Sequence, residues 1–137
     1  MTERSVTVIV PGTPSKALSP NKVMRRGGHY AARDAEALLR RDAMFAAYSA
    51  IEGMNRPVFT CPVEMTQRIV WGKGERRTDL SAVPLMLKAV EDGLCDALVM
   101  VNDAQVKRIT VLDHGKDKDG PGWIEVTITA AGEGVKA

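Results

Sequence analysis

The sequence predicts an α+β fold, a mixed β-sheet of about four to five strands with two helices packed on it, in the order β-α-β-α-β-β. Three observations predict it. Apolar and polar residues alternate over 63–71 and 123–130, the period of a half-buried strand. Apolar residues recur at helical spacing over 31–51, ahead of the first of these strands, and over 82–94, between the two. Finally, 137 residues with 45% hydrophobic content suit one domain spanning the whole chain and leave little room for a second.

The first strand is expected over 5–10 (Ser-Val-Thr-Val-Ile-Val), rich in β-branched residues and closed by Pro11-Gly12. A basic loop over 11–30 follows, with three prolines and three glycines. A loop that long inside a compact domain usually serves function or lacks order. The first helix, over 31–51, carries an apolar stripe at Leu39, Ala43, Ala46, Ala47 and Ala50, and Gly53 and Pro57 stop it. The second strand places Val63, Met65, Gln67, Ile69 and Trp71 on one face. A basic turn over 72–77 leads to Asp79 and the second helix, whose Val83, Leu87, Val90 and Leu94 share a side. Ser81 can cap that helix, because its hydroxyl can accept a bond from a first-turn amide. Pro84 fits the first turn, where no intrahelical donor is lost. After an apolar segment at 99–101, a strand is expected over 104–112 with Asp103 at its start, then a charged turn over 114–122. The last strand, 123–130, turns Ile124, Val126 and Ile128 inward, and 131–137 reads as a frayed tail.

No apolar run approaches the ~20 residues that cross a bilayer, and the N-terminus lacks the apolar stretch of a signal peptide. A cytoplasmic protein with no membrane partner is the expectation. Cys61 and Cys95 have no second Cys or His at metal-finger spacing, so both are expected as buried free thiols. His29 and His114 likewise lack partners and read as surface residues. The net charge of +2 conceals an asymmetry. Residues 1–78 hold 13 Lys/Arg against 7 Asp/Glu, whereas residues 79–137 hold 6 against 10. A basic first half suits a polyanion and an acidic second half a cation, with plain solvated surface charge as the bland alternative.

The chemistry concentrates in 76–106. Asp79 stands ahead of the second helix, Lys88 and Asp92 lie one turn apart on it, and Asp103 follows. Two carboxylates from element ends and a helix lysine can converge at one rim of the sheet. Carboxylates without His or Cys partners suit Mg²⁺, with Mn²⁺ as a substitute, since hard ions take oxygen ligands and keep several waters. Each residue also has a plainer role: Asp79 as a polar turn residue, Lys88 with Asp92 as a surface pair, and Ser81 as a cap.

This stretch resembles the signature of the RusA-type Holliday-junction resolvases, many of them phage- or prophage-borne. Asp79 matches the first aspartate of their Asp-x-Asp-Asn element, and Lys88 matches the lysine of the longer motif with a proline in its insertion, as Pro84 is here. Asp92-Gly93-Leu94, continued by Asp96-Ala97, matches their Asp-Gly-Leu element. Asn102-Asp103-Ala104-Gln105-Val106 matches Asp-Asp-Ala-Gln-Val except at its first residue, and Leu18-Ser19-Pro20-Asn21-Lys22 is similar to the segment after the first strand. Ser81 and Ala82 depart from the family, replacing its second aspartate and its asparagine.

The resemblance implies a metal-dependent endodeoxyribonuclease that nicks four-way DNA junctions in recombination and repair. Its catalytic residues would be Asp79, Lys88 and Asp103. Its metal ligands would be Asp79 and Asp103, with Asp92 and Ser81 as further candidates. Phosphate contacts would come from Lys16, Asn21, Lys22, Arg25, Arg26, Lys73, Arg76 and Arg77. It would act as a homodimer on branched DNA, because paired incision needs two sites related by a twofold axis. An apolar β-face and the alanine-rich helix are the surfaces expected to make that contact. Two alternatives stand beside the enzyme: a junction-binding protein weakened by Ser81, and a non-enzymatic α+β adaptor.

Overall fold

The computed structural model describes residues 4–12, 28–73 and 84–131. Four strands and two helices run in the order β1 (Ser5–Pro11), α1 (Gly28–Ala50), β2 (Val63–Trp71), α2 (Pro84–Asp96), a short 3₁₀ turn (Asp103–Gln105), β3 (Val106–Lys116) and β4 (Gly122–Ala130). The strands form one mixed sheet in the order β1-β4-β2-β3. β4 pairs antiparallel with both β1 and β2, while β3 runs parallel to β2.

Alternation decides which face is buried. Val6, Val8 and Val10 of β1, Ile124, Val126 and Ile128 of β4, and Val63, Met65 and Ile69 of β2 fall on one face and are closed to solvent. The register links them in rows, for example Val8 to Val126 to Gln67 to Val111. Leu39, Ala43 and Ala47 of α1, Ile51 just after it, and Leu87, Val90 and Leu94 of α2 close over this face, completing one core. Each fully buried Val, Leu or Ile contributes roughly 1.5–3 kcal/mol by leaving water. Ala46 and Ala50, expected on the same stripe, only pack against its edge.

The opposite face is mixed, with polar rows between apolar residues. Thr7, Thr127, Thr66 and Thr110 form a row across all four strands, and Arg68 lies 3.5 Å from Glu125 in the next row. Ile9 and Leu112 stand at the two ends of that row and are exposed, so this face also offers apolar surface. β-branched threonines suit a strand without making its outer face greasy.

The two helices approach closely at Gly93. A Cβ there would collide with the carbonyl oxygen of Arg40 and stand 2.8 Å from the Ala43 Cβ. Beside this contact Arg40 grips Asp96 with two hydrogen bonds, of 2.6 and 2.8 Å. Asp96 therefore ties α2 to α1. The Arg40 guanidinium, bonded to it, holds its carboxyl below the usual range.

Helix α2 ends in a Schellman motif. Val99 N donates to Leu94 O and Leu98 N to Cys95 O, each at 3.0 Å. Leu98 supplies the left-handed residue at φ 63°, a position usually taken by glycine. The chain then forms a parallel bridge from Met100 to Phe59.

Several boundaries differ from the sequence expectation. The segment 28–30, assigned to the basic loop, is helical; glycine is tolerated there because first-turn amides lack intrahelical partners in any case. β3 starts at Val106 rather than 104 and continues to Lys116, so the charged turn shrinks. Gly115 and Gly122, both at positive φ, admit the bends at its ends. Cys61 and Cys95 are free, as expected, but only partly buried. Among the described residues no helix is long and apolar enough to cross a membrane.

Gly93→Ala is expected to lower stability by about 1–3 kcal/mol, since the added methyl meets backbone that cannot yield without moving a helix. Denaturant unfolding of the variant beside Asp96→Ala, which leaves the close approach intact, checks the assignment to backbone contact.

Candidate functional site

Asp103 is placed by its neighbours. Asn102 is extended (φ −157°, ψ 167°), and its Oδ1 accepts from Ala104 N at 2.9 Å, capping the 3₁₀ turn. Gln105 completes the cap from the other side. Its Oε1 accepts from Val101 N at 2.7 Å and Asn102 N at 3.1 Å. Its Nε2 donates to Phe59 O at 3.0 Å and Cys61 O at 2.9 Å. One amide thus fastens the turn to the segment that enters β2, and β3 begins directly after it. This is why Asp103 opens a turn and not a strand, correcting the expectation from sequence: capping chemistry outcompetes strand pairing over these three residues. Asn102 serves as a cap here, a role asparagine and aspartate fill about equally.

Lys88 reaches this turn from α2. Its ammonium donates to Asp103 Oδ2, lies 3.2 Å from Asp92 Oδ1 and stands 4.0 Å from Glu91 Oε1. The expected Lys88–Asp92 pair one helical turn apart is present, and Asp103 joins it across 15 residues of chain. The hydrogen bond to Asp103, reinforced by Asp92 and Glu91, raises the Lys88 pKa, so the ammonium is charged at any physiological pH. Asp103 answers with a lowered pKa, caused first by that same bond, and is ionised.

Glu91 was not anticipated. It is 6% exposed, and burial pushes its carboxyl above the usual range, with Lys88 offsetting part of the shift. Burial, followed by the neighbouring carboxylates, also raises the Cys95 thiol to about 11, which leaves it protonated and unreactive near neutrality. The signal for Glu91 was legible: it stands four residues after Leu87 and three before Leu94, on the apolar stripe of α2. The signal for Gln105 was its spacing, three residues after an N-cap asparagine.

The other expected site residues divide in two. Lys73 is exposed and sits beyond Trp71, at the end of β2 opposite Val63, where its backbone N–H bonds Gly120 O. Val63 pairs with Val106, next to the Asp103 turn, so Lys73 is not gathered with Lys88. Asp79, Ser81, Lys16, Asn21, Lys22, Arg25, Arg26, Arg76 and Arg77 lie outside the described residues.

Among the described residues no group of three or more His, Cys, Asp or Glu is gathered as a metal cage. What is present is a pair of carboxylates, Asp92 and Asp103, facing one ammonium. That donor set fits Mg²⁺, which typically uses one or two protein carboxylates and completes its shell with waters and phosphate. No protein-family model matches the chain, and no curated protein is significantly similar to it.

Two outcomes follow from this geometry. Gln105→Ala frees two amides and two carbonyls and should cost about 1–3 kcal/mol, with hydrogen exchange rising at Val101 and Asn102. Glu91→Gln should become progressively more stabilising, relative to wild type, as pH rises from 4 to 8. The sign follows from the raised carboxyl pKa: the folded state holds that proton more tightly, so the stability it confers is present at low pH and fades as Glu91 ionises. Melting temperatures of both proteins across that range measure the difference.

Proposed function

We propose that the protein is a Mg²⁺-dependent endodeoxyribonuclease that nicks four-way DNA junctions, as the resemblance to the RusA-type resolvases implies. The observation that carries the reading is the meeting of Lys88 with Asp103 and Asp92. A helix lysine and a turn carboxylate 15 residues apart, both drawn from the family-like motif, form one charged cluster at the rim of the sheet.

In this reading Asp103 and Asp79 hold the cation, with Asp92 adjoining. When bound, the cation supplies Lewis-acid polarisation of a phosphoryl oxygen and a water of lowered pKa. Lys88 turns its ammonium from Asp103 toward the scissile phosphate and offsets the charge that develops there. Asp92 keeps Lys88 oriented while that exchange occurs. Basic residues of 16–26 and 73–77 hold duplex arms through their phosphates, so recognition rests on branch shape more than on sequence. A homodimer supplies the second incision. Ser81 favours a second reading, a junction-binding protein with a weakened metal site, because it stands where the family has a carboxylate.

Incubation of a synthetic four-way junction with Mg²⁺, Mn²⁺ or EDTA tests the proposal. Metal-stimulated nicking is expected, lost in Asp103→Asn and Asp79→Asn, and reduced on the order of 100-fold in Lys88→Ala, while junction binding persists in all three. Binding without nicking in wild type selects the weakened form, and Ser81→Asp should then restore cleavage at limiting Mg²⁺. Absence of salt-dependent binding to any DNA overturns both readings.

A further inference from the structure

Beside the Lys88 cluster lies a cavity of about 370 Å³ that the proposed hydrolysis does not use, lined by Gln67, Leu87, Lys88, Glu91, Ile109 and Val111. Its walls are apolar, from Leu87 on α2 and from Ile109 and Val111 on β3. Gln67 stands among them at a position of β2 where its neighbours on the same face, Met65 and Ile69, are apolar core residues. It is 1% exposed, and among the described residues its Nε2 meets only the sulfur of Met65 at 3.2 Å and its Oε1 has no hydrogen-bond partner.

A buried acceptor left unpaired is destabilising, and such groups in folded proteins are nearly always satisfied. An apolar residue of the same size would pack here without that cost. A glutamine beside a cavity, with one amide end unused and a carboxyl nearby, has the form of a recognition site: apolar walls for flat faces and a few polar atoms for one edge.

We propose that this cavity receives a nucleobase extruded from the bound junction, one carrying an exocyclic amino group, whose N–H donates to Gln67 Oε1. Glu91 contacts the remaining polar edge, and Leu87, Ile109 and Val111 pack on the faces of the ring. Lys88 belongs to both places, lining the cavity while its ammonium stands at Asp103. A nucleotide with its phosphate at Lys88 can therefore deliver its own base to the cavity. Bases near a branch point are already partly unstacked, which lowers the cost of extrusion. The proposal rests on the nuclease reading for its DNA substrate and adds base selectivity to the same site: the amino-bearing bases cytosine, adenine and guanine over thymine.

The test uses four-way junctions carrying 2-aminopurine at successive positions beside the branch, bound in EDTA so that no strand is cut. A severalfold rise in fluorescence is expected at one position, because extrusion relieves quenching by stacked neighbours. Ile109→Phe, at a half-exposed residue that can accept a larger ring, fills the cavity and should abolish the rise even at protein concentrations that saturate the junction. Gln67→Met should fold at least as stably as wild type and lose the preference for amino-bearing bases. A rise that persists in Ile109→Phe, or tight binding with no rise at any position, overturns the cavity assignment and leaves the nuclease reading standing. If no junction binds at all, titration with deoxycytidine, deoxyadenosine and thymidine, read by amide NMR at Gln67, Ile109 and Val111, decides the cavity alone. Shifts with the first two nucleosides only support it, and their absence, or an equal response to thymidine, overturns it.

Discussion

Two helices can cover one face of a four-stranded sheet only if they stand close together, and Gly93 is where the backbones permit it. The missing side chain lets α2 settle against Arg40 and Ala43 of α1, and the Arg40–Asp96 pair fixes the approach. The helix-borne part of the candidate site inherits its position from this contact. Lys88 lies five residues earlier on the same helix, and its reach to Asp103 depends on where α2 rests over β2 and β3. The Asp-Gly-Leu element is therefore divided between tasks. Asp92 faces the ammonium, Gly93 and Asp96 hold the helices together, and Leu94 is core.

A parallel division runs through the Asn102–Val106 stretch. Asn102 and Gln105 spend their side chains on backbone groups, and Asp103 is left with its carboxylate turned outward. Rigid flanks settle the orientation of the Asp103 carboxylate, which meets the Lys88 ammonium.

Much of this was legible in the sequence. The limits of β2 follow from strict alternation between Val63 and Trp71, and the inward set of Ile124, Val126 and Ile128 from the same rule, because burial of one face leaves a period of two. The Lys88–Asp92 pair follows from helical spacing. The Asp103 turn was misread as a strand because a three-residue cap depends on side chain to backbone bonds that hydrophobic periodicity does not report. Glu91 and Gln67 were passed over for a related reason. Each occupies an apolar position in its element, and pattern reading registers a polar residue there as a minor irregularity. The Arg40–Asp96 pair carried no signal at all, since 56 residues separate its members and only the helix crossing joins them.

The pairing of β1 with β4 has a consequence for how the chain comes to be folded. Ser5 faces Thr129 across almost the full length of the sequence, and among the described residues β1 has no other strand neighbour. Loop-closure entropy must be met before that pairing returns anything, so docking of β1 belongs late in folding. By contrast, α2, the Asp103 turn and β3 are contiguous, and β3 pairs with β2, the strand that precedes them. The charged cluster can assemble from local chain while the first strand is still searching for its place, and during synthesis that strand must wait for the last one to emerge.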